Sequence, residues 1–363
     1  MRYFYGEHMI RYLRLFFITL FCVLFAAALL VYGAVRFTDI RPFAAMRELI
    51  VTTAETTMTH KWIAGIFASG EQIRAIMAEN ALPEVTGNVE LSLINTTGIP
   101  AFYQAQPDPD IGGKARVPAD DGYSELEDGI YIKDVSGSGF AGKLMMVTDP
   151  SRVKIATTRT LGTRGDLVKQ MVPMNDAVAG INGGWFVDPE YSSDGGVPTG
   201  FVIRNGAVVF GRSSAKTLFA GFNADNVLVM GSYTPSSALK AGIRDGFATL
   251  PVLILNGEGQ ITKGDGGWGI APRSAFGQRA DGAVLLLTID GRQLSSVGAT
   301  LKQTQDVLLE NGAVNAIGLD GGSSTTMYYK GEYLNRPSLG HERYIPTSLI
   351  VMPSGDGRQA SGQ

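Results

Sequence analysis

Residues 15–35 form a run of 21 positions without a charged side chain, and no other feature limits the fold of this chain as strongly. Coiled as a helix at about 1.5 Å per residue, the run spans about 30 Å, the thickness of a bilayer's hydrocarbon core. A helix also bonds its own backbone polar groups, as lipid requires. The run therefore predicts a transmembrane signal anchor over 15–35, with Cys22 inside it. A cleaved signal peptide is the rival, but its apolar stretch is usually shorter, and no small-x-small site closes this one. Arginine counting leaves the orientation tied, because Arg2, Arg11 and Arg14 precede the run while Arg36, Arg41 and Arg47 follow it. The short amino-terminal tail makes 1–14 cytoplasmic in the simpler topology. The chain then reads as a single-pass protein of the cell membrane with its carboxy-terminal domain extracytoplasmic.

Basic and acidic residues nearly cancel, 31 against 34, so no broad positive field exists to hold nucleic acid through its phosphates. The single cysteine excludes an intramolecular disulfide framework and a cysteine-built zinc site. After the anchor, residues 43–77 carry no proline, and Trp62, Ile66, Ile73 and Met77 recur at helical spacings. One or two helices are expected there, with Ser69-Gly70-Glu71 as a break and new cap. Between 104 and 127 prolines, glycines and aspartates cluster without periodicity, as a linker does. Residues 36–127 thus read as a helical membrane-proximal region and linker.

A second domain is expected over 128–353, followed by a flexible tail at 354–363. Strand-like runs dominate it, at 130–135, 143–147, 153–157, 200–203, 207–210, 227–230, 284–289, 316–319, 326–329 and 348–352. A helix over 299–311 places Leu301, Val307 and Leu308 on one face and stops at Asn311-Gly312; a shorter one covers 166–171. Helices too few for βαβ alternation predict an α+β fold, a mixed β-sheet with flanking helices.

Most isolated motifs have ordinary explanations. Gly137-Ser138-Gly139-Phe140-Ala141-Gly142 has dinucleotide spacing, but a strand follows where a helix is needed, so it reads as a glycine turn. His8, His60 and His341 lack metal-ligand spacing, and no serine sits in a Gly-x-Ser-x-Gly elbow. Three clusters carry more chemistry. Ile181-Asn182-Gly183-Gly184-Trp185-Phe186 ends an apolar strand with backbone N–H groups able to face a ligand. Pro272-Arg273-Ser274-Ala275-Phe276-Gly277 sets an arginine between loop and strand, and 285–289 leads into Asp290-Gly291-Arg292. Leu319-Asp320-Gly321-Gly322-Ser323-Ser324-Thr325-Thr326 joins a carboxylate at a strand end to two permissive glycines and four hydroxyls, a stretch suited to anions or polyols.

These clusters, taken in order with Pro198-Thr199-Gly200 and Asn335-Arg336-Pro337, resemble the phosphodiester glycosidase family over roughly 128–353. Its bacterial members are often described as exopolysaccharide biosynthesis proteins, and Val51-Thr52-Thr53-Ala54 resembles the membrane-proximal part of some of them. Two departures stand out. Ser323 occupies the place of a usual third glycine, and His341-Glu342-Arg343 matches the family's Gly-Glu-Arg only in its last two positions.

The resemblance implies cleavage between a sugar's anomeric carbon and a phosphodiester oxygen, leaving a phosphomonoester. Phosphate leaves readily, so such a site needs less general-acid help than an ordinary glycosidase and more positive charge. Asp320 and Asp290 are the expected catalytic carboxylates, with the roles of nucleophile and base left open between them. Arg273 and Arg336 are the expected phosphate clamp. Asn182 and Thr199 are expected at the sugar, and Gly183, Gly184, Gly200, Arg292, Gly321, Gly322, Ser323, Ser324 and Thr325 complete the substrate-binding set. No cofactor is demanded, although Asp320 and its hydroxyls are hard oxygen ligands suited to a divalent cation. The expected partners are a sugar-phosphate or glycan phosphodiester and, through 15–35, the membrane. A polysaccharide-binding or exopolysaccharide-assembly module without chemistry is the alternative.

Overall fold

The computed structural model describes residues 2–57, 60–82, 87–96, 121–189 and 192–354. The part of the expected linker at 104–120, Pro83, and all but the first residue of the expected tail lie outside these. The chain divides into two compact units, Met1–Asn80 and Ala81–Gln363. The second unit reaches upstream of residue 128, because strand Ser124–Glu127 already pairs with Ile130–Gly137.

In the first unit a single helix, Arg2–Phe37, contains the expected span, and its stretch Arg11–Phe37 is long and apolar enough to cross a membrane; it is exposed up to Tyr32, and Val35 near its end is buried. Three helices follow where one or two were expected: Phe43–Glu55, Trp62–Phe67 and Gly70–Glu79. Ser69 caps the last of them and pairs reciprocally with Gln72, which satisfies two amide groups that a helix start leaves open. Val51, Ala54, Ala64, Ala68 and Ile76 form the buried core here, while Trp62 and Ile66 are exposed. Small alanines let these short helices approach each other; Ile73 and Met77 of the same periodicity pack half-buried against them, while Trp62 and Ile66 remain outside. Arg47 is buried and donates to the carbonyls of Val35 and Thr38 at 3.3 and 3.0 Å and to Asp39 at 2.6 Å. It thereby satisfies carbonyls that the long helix leaves open at its end.

The second unit is α+β, built on three sheets. One has eight strands in the order Ser124–Glu127, Ile130–Gly137, Phe140–Val147, Val284–Ile289, Arg273–Arg279, Ala313–Gly318, Val252–Leu255 and Glu258–Gly259. A five-stranded sheet runs Ala207–Phe210, Val202–Arg204, Ile243–Ala248, Thr217–Asn223 and Leu228–Tyr233. Another runs Glu332–Tyr333, Met327–Tyr329, Ala179–Asn182, Thr347–Val351 and Val153–Thr157. Pairing within each sheet is antiparallel throughout rather than mixed. Seven pairs of consecutive strands among the described residues are joined as hairpins, and antiparallel neighbours of this kind need no crossover helix. The dinucleotide-like glycines form one such hairpin, with Gly137 paired to Phe140.

The central core draws on all three sheets, through Met145, Ile181, Phe222, Phe247, Phe276, Leu286, Ile317 and Leu349 among others. Helix Leu301–Glu310 packs Leu301, Val307 and Leu308 against the eight-stranded sheet as its sequence predicts, and Thr300 caps it. Phe276 sits at the junction, 6.1 Å from the ring of Phe222 and 6.3 Å from that of Phe247. Phe276→Ala should therefore leave an unfilled cavity and lower the stability of the detergent-solubilised chain by about 3–5 kcal/mol. Chemical denaturation followed by tryptophan fluorescence checks this; a loss below about 1 kcal/mol would show that the three sheets do not depend on a shared core.

Candidate active site

Asp320 follows strand Ala313–Gly318 by two residues and stands where two sheets meet. Its N–H donates to the Gly183 carbonyl at 3.2 Å, and its own carbonyl accepts from Asn182 Nδ2 at 2.6 Å. The Asn182 Oδ1 accepts in turn from Ser274 Oγ at 2.7 Å and from the Thr326 N–H at 3.1 Å. Ser274 belongs to the eight-stranded sheet and Asn182 to a five-stranded one. One buried carboxamide thus sews both sheets to the two ends of the Asp320 turn, and its polar atoms are committed to the protein.

The glycines beside it also face inward. Gly183 and Gly184 were expected to present N–H groups to a ligand, but those groups donate to the Thr347 carbonyl at 2.9 Å and to Thr347 Oγ1 at 3.2 Å. A Cβ on Gly183 would lie 2.4 Å from Thr347 Oγ1, so glycine here permits strand Thr347–Val351 to press close. Gly200, at φ +70°, likewise accommodates Ala248 and Thr217. Thr199 is exposed, and its N–H donates to the carbonyl of Trp185 at 2.9 Å. The Trp185 ring meets that of Trp268 edge-on at 5.1 Å, and its Nε1 donates to the Leu250 carbonyl.

Beyond Asp320 the chain makes a single 3₁₀ turn, Gly322–Ser324. Gly322 enters it at φ +60° with its N–H on the Pro272 carbonyl at 2.8 Å. Ser323 needs no glycine freedom, since its φ is not positive; its buried hydroxyl accepts from Arg343 Nη1 at 3.4 Å. Four polar side-chain atoms of this short stretch are buried without a hydrogen-bond partner in the protein: Asp320 Oδ2, Ser324 Oγ, Thr325 Oγ1 and Thr326 Oγ1. Buried polar atoms are normally satisfied. Four orphans within seven consecutive residues single this stretch out as the candidate site.

Electrostatics agree with this placement. Burial pushes the Asp320 carboxyl up to about 6, against the opposing pull of the Ser324 hydroxyl, which lies close by without a bond of good geometry, of the Arg343 charge and of the Gly321 N–H; the nearby Asp188 charge adds to the rise. Asp290 is also raised, chiefly by burial, although its Oδ1 accepts from the Arg336 N–H at 2.9 Å and Asn335 Nδ2 at 3.2 Å. Asn335 donates as well to the Thr325 carbonyl, which ties Asp290 to the Asp320 turn. Asp188 lies below the ordinary carboxylate range: burial opposes ionisation, but the Ser193 N–H and Arg343 outweigh it.

The arginines divide into two kinds. Arg273 is buried and donates through Nε and Nη2 to the carbonyls of Ala299, Trp268 and Gly269 at 3.0, 2.8 and 2.6 Å. Desolvation lowers it to about 10, and these bonds make it a brace under the site. Arg292 is exposed and places Nη2 3.5 Å from where a Gly322 Cβ would stand. Arg336 is exposed too, beside Asp290. Arg343 was outside the expected set, yet it reaches Ser323, pairs with Asp188, and lies over the Phe186 ring at 5.0 Å. The buried Glu342 accepts from the Lys169 N–H, which pins the loop that carries Arg343. The Glu342-Arg343 pair was visible as half of a motif; Asp188, in Val187-Asp188-Pro189, had no signal. Among the described residues no group of three or more His, Cys, Asp or Glu side chains is arranged to hold a metal ion.

Comparison with known proteins follows the same lines. Residues 175–352 match the family model for phosphodiester glycosidases. Among solved structures, the catalytic domain of zebrafish N-acetylglucosamine-1-phosphodiester alpha-N-acetylglucosaminidase, auto-inhibited by its pro-peptide, aligns with a TM-score of 0.53 at 24% identity. The alignment covers 62% of this chain and 82% of that one, a likeness of fold. The SPbeta prophage-derived uncharacterized protein YomE of Bacillus subtilis (strain 168) is 41% identical over 80 residues, 22% of this chain; the match spans only 12% of that protein's length. Strands Ala179–Asn182 and Arg273–Arg279, the Asp290 loop, the Asp320 turn and the Arg343 loop all lie inside the matched segment, and residues 175–352 are a domain of the phosphodiester glycosidase family.

Proposed function

We propose that this protein is a membrane-anchored hydrolase that cleaves the bond between a sugar's anomeric carbon and a phosphodiester oxygen on cell-surface or exopolysaccharide glycans. The observation that carries this reading is the set of four partnerless buried polar atoms at Asp320, Ser324, Thr325 and Thr326, flanked by the guanidinium groups of Arg292 and Arg343. A sugar brings hydroxyls for the three side-chain hydroxyls. A phosphodiester brings the negative charge that two arginines attract. The zebrafish enzyme's substrate, an N-acetylglucosamine phosphodiester by its name, is the first compound to test.

In this reading Arg343 and Arg292 hold the departing phosphate, whose charge grows as the glycosidic bond breaks. Asp320 supplies the negative charge that an oxocarbenium-like centre requires. Asp290, fixed by Asn335 and the Arg336 N–H, is the second carboxylate, and Arg336 strengthens the field around it. Asn182 and Arg273 act as supports that set the turn's position. The anchor over 15–35 places the domain outside the cytoplasm.

Asp320→Asn keeps the shape and most of the hydrogen-bonding capacity while removing the charge. Incubated with an N-acetylglucosamine phosphodiester, the wild-type chain should release free sugar, and the variant should lose about a hundredfold or more in turnover with little change in affinity. A wild type that binds the compound but releases no sugar, with a variant that binds identically, would favour the polysaccharide-binding module instead. Stability should move the other way. A carboxyl raised in the folded state stabilises it below the ordinary carboxylate range, and this contribution is lost as pH rises through about 6. Above pH 7 Asp320→Asn should therefore be the more stable protein, by on the order of 2 kcal/mol, and a higher melting temperature at that pH checks it.

The pH dependence of kcat/KM gives a second test. Because the ionised Asp320 is the active form, activity should climb as pH rises through about 6. Arg343→Gln removes a charge that favours ionisation, so its rising limb should move to higher pH. A limb that stays in place in Arg343→Gln, or wild-type activity that falls across this range, would contradict the assignment.

A further inference from the structure

Two β-turns border Asp290, and each exposes a leucine at its corner. In the first, Gln293 and Ser296 exchange N–H···O bonds of 3.0 and 3.1 Å, which places Leu294 and Ser295 at the corners. Leu294 is wholly exposed, and Val297 at the end of the turn is half exposed. In the second, the Gly340 N–H donates to the Pro337 carbonyl at 2.9 Å, with Ser338 and Leu339 at the corners and Leu339 half exposed. Gln293 Nε2 donates to the Arg336 carbonyl at 2.9 Å, so the two turns form one lip. Each turn begins beside an exposed arginine, Arg292 for the first and Arg336 for the second, and neither stretch, 291–297 or 336–340, contains an acidic residue.

A leucine at an exposed turn corner forgoes apolar burial, and among the described residues nothing covers these two. Paired apolar tips with arginines at their bases fit one environment closely: the interface of a bilayer, where leucines enter the acyl boundary and guanidinium groups meet lipid phosphates. A helix of the same chain, Arg11–Phe37, is long and apolar enough to cross a membrane, so the chain carries its own means of meeting a bilayer. We propose that the lip built by Leu294, Val297 and Leu339, with Arg336 as the guanidinium that meets lipid phosphate, docks on an anionic lipid surface and opens the site toward the leaflet. The lip adds an interfacial contact to the anchor proposed above, and its binding does not require the site to be catalytic.

The test uses the full chain with Cys22→Ser, which removes the sole native thiol. Leu294→Cys or Leu339→Cys is labelled with an environment-sensitive fluorophore, and the protein is reconstituted into phosphatidylcholine vesicles with or without phosphatidylglycerol. Ser213→Cys, at an exposed position on another loop, serves as control. The proposal expects a blue-shifted emission at 294 and 339 in the anionic vesicles. It also expects quenching by headgroup-proximal nitroxide lipids at least about twofold stronger than at 213. Phosphatidylglycerol should strengthen both signals. Water-like, unquenched emission at 294 and 339 would overturn it, as would equal quenching at all three sites. A shift in detergent that grows with protein concentration would assign the lip to a second copy of the chain and also overturn the proposal. These readouts need no turnover, so they stand apart from the fate of the hydrolase reading.

Discussion

The carboxamide of Asn182 is the bond on which the site depends. Its nitrogen holds the Asp320 carbonyl, its oxygen takes Ser274 from the neighbouring sheet, and the same oxygen takes the Thr326 N–H beyond the turn. Three segments distant in sequence are thereby fixed about one amide in a buried setting, where a lost partner costs more than in water. The position of Asp320 and of the 3₁₀ turn after it follows from that junction, while Arg343 is brought to the turn by its own loop, pinned through Glu342 and paired with Asp188. Asn335 repeats the device on the other side, joining Asp290 to the turn through Thr325.

This arrangement spends stability on charge. Asp320 is buried among hydroxyls with Oδ2 unpartnered, and burial resists its ionisation more than Arg343 favours it. Such a group destabilises the fold at neutral pH, and sites that carry out chemistry commonly retain that conflict. Asp188 differs although it lies close by: Ser193 and Arg343 hold it ionised. Arg343 consequently serves two carboxylates in different settings, Asp188 in an ion pair and Asp320 with one buried oxygen left unpartnered.

Much of this was legible in the sequence and some was not. The apolar run at 15–35, the Ser69 cap, the 301–310 helix face and the order of the glycine motifs could be read because each is a local pattern with a local cause. Strands Thr217–Asn223 and Ile243–Ala248 lie outside the expected runs. Gly221 and Gly246 interrupt them like turn residues, whereas in the fold Gly221 lets the neighbouring backbone approach, its absent Cβ lying 2.1 Å from the Asp245 carbonyl. The same ambiguity affected Gly183 and Gly184, whose backbone serves Thr347. Arg273 looked like a phosphate ligand because its surroundings are carbonyls from distant loops, which no sequence pattern displays. Asp188 and Arg343 are 155 residues apart and meet only in the fold.

Asp320 is held by its surroundings with a raised affinity for its proton, which sets its change of charge near pH 6. Isotope-edited infrared titration of the carboxyl groups measures this directly, with the Asp320 band identified by its disappearance in Asp320→Asn. That band is expected to titrate with a midpoint near 6 and to move to higher pH in Arg343→Gln. A midpoint in the ordinary carboxylate range near 4, unaffected by Arg343, would contradict it.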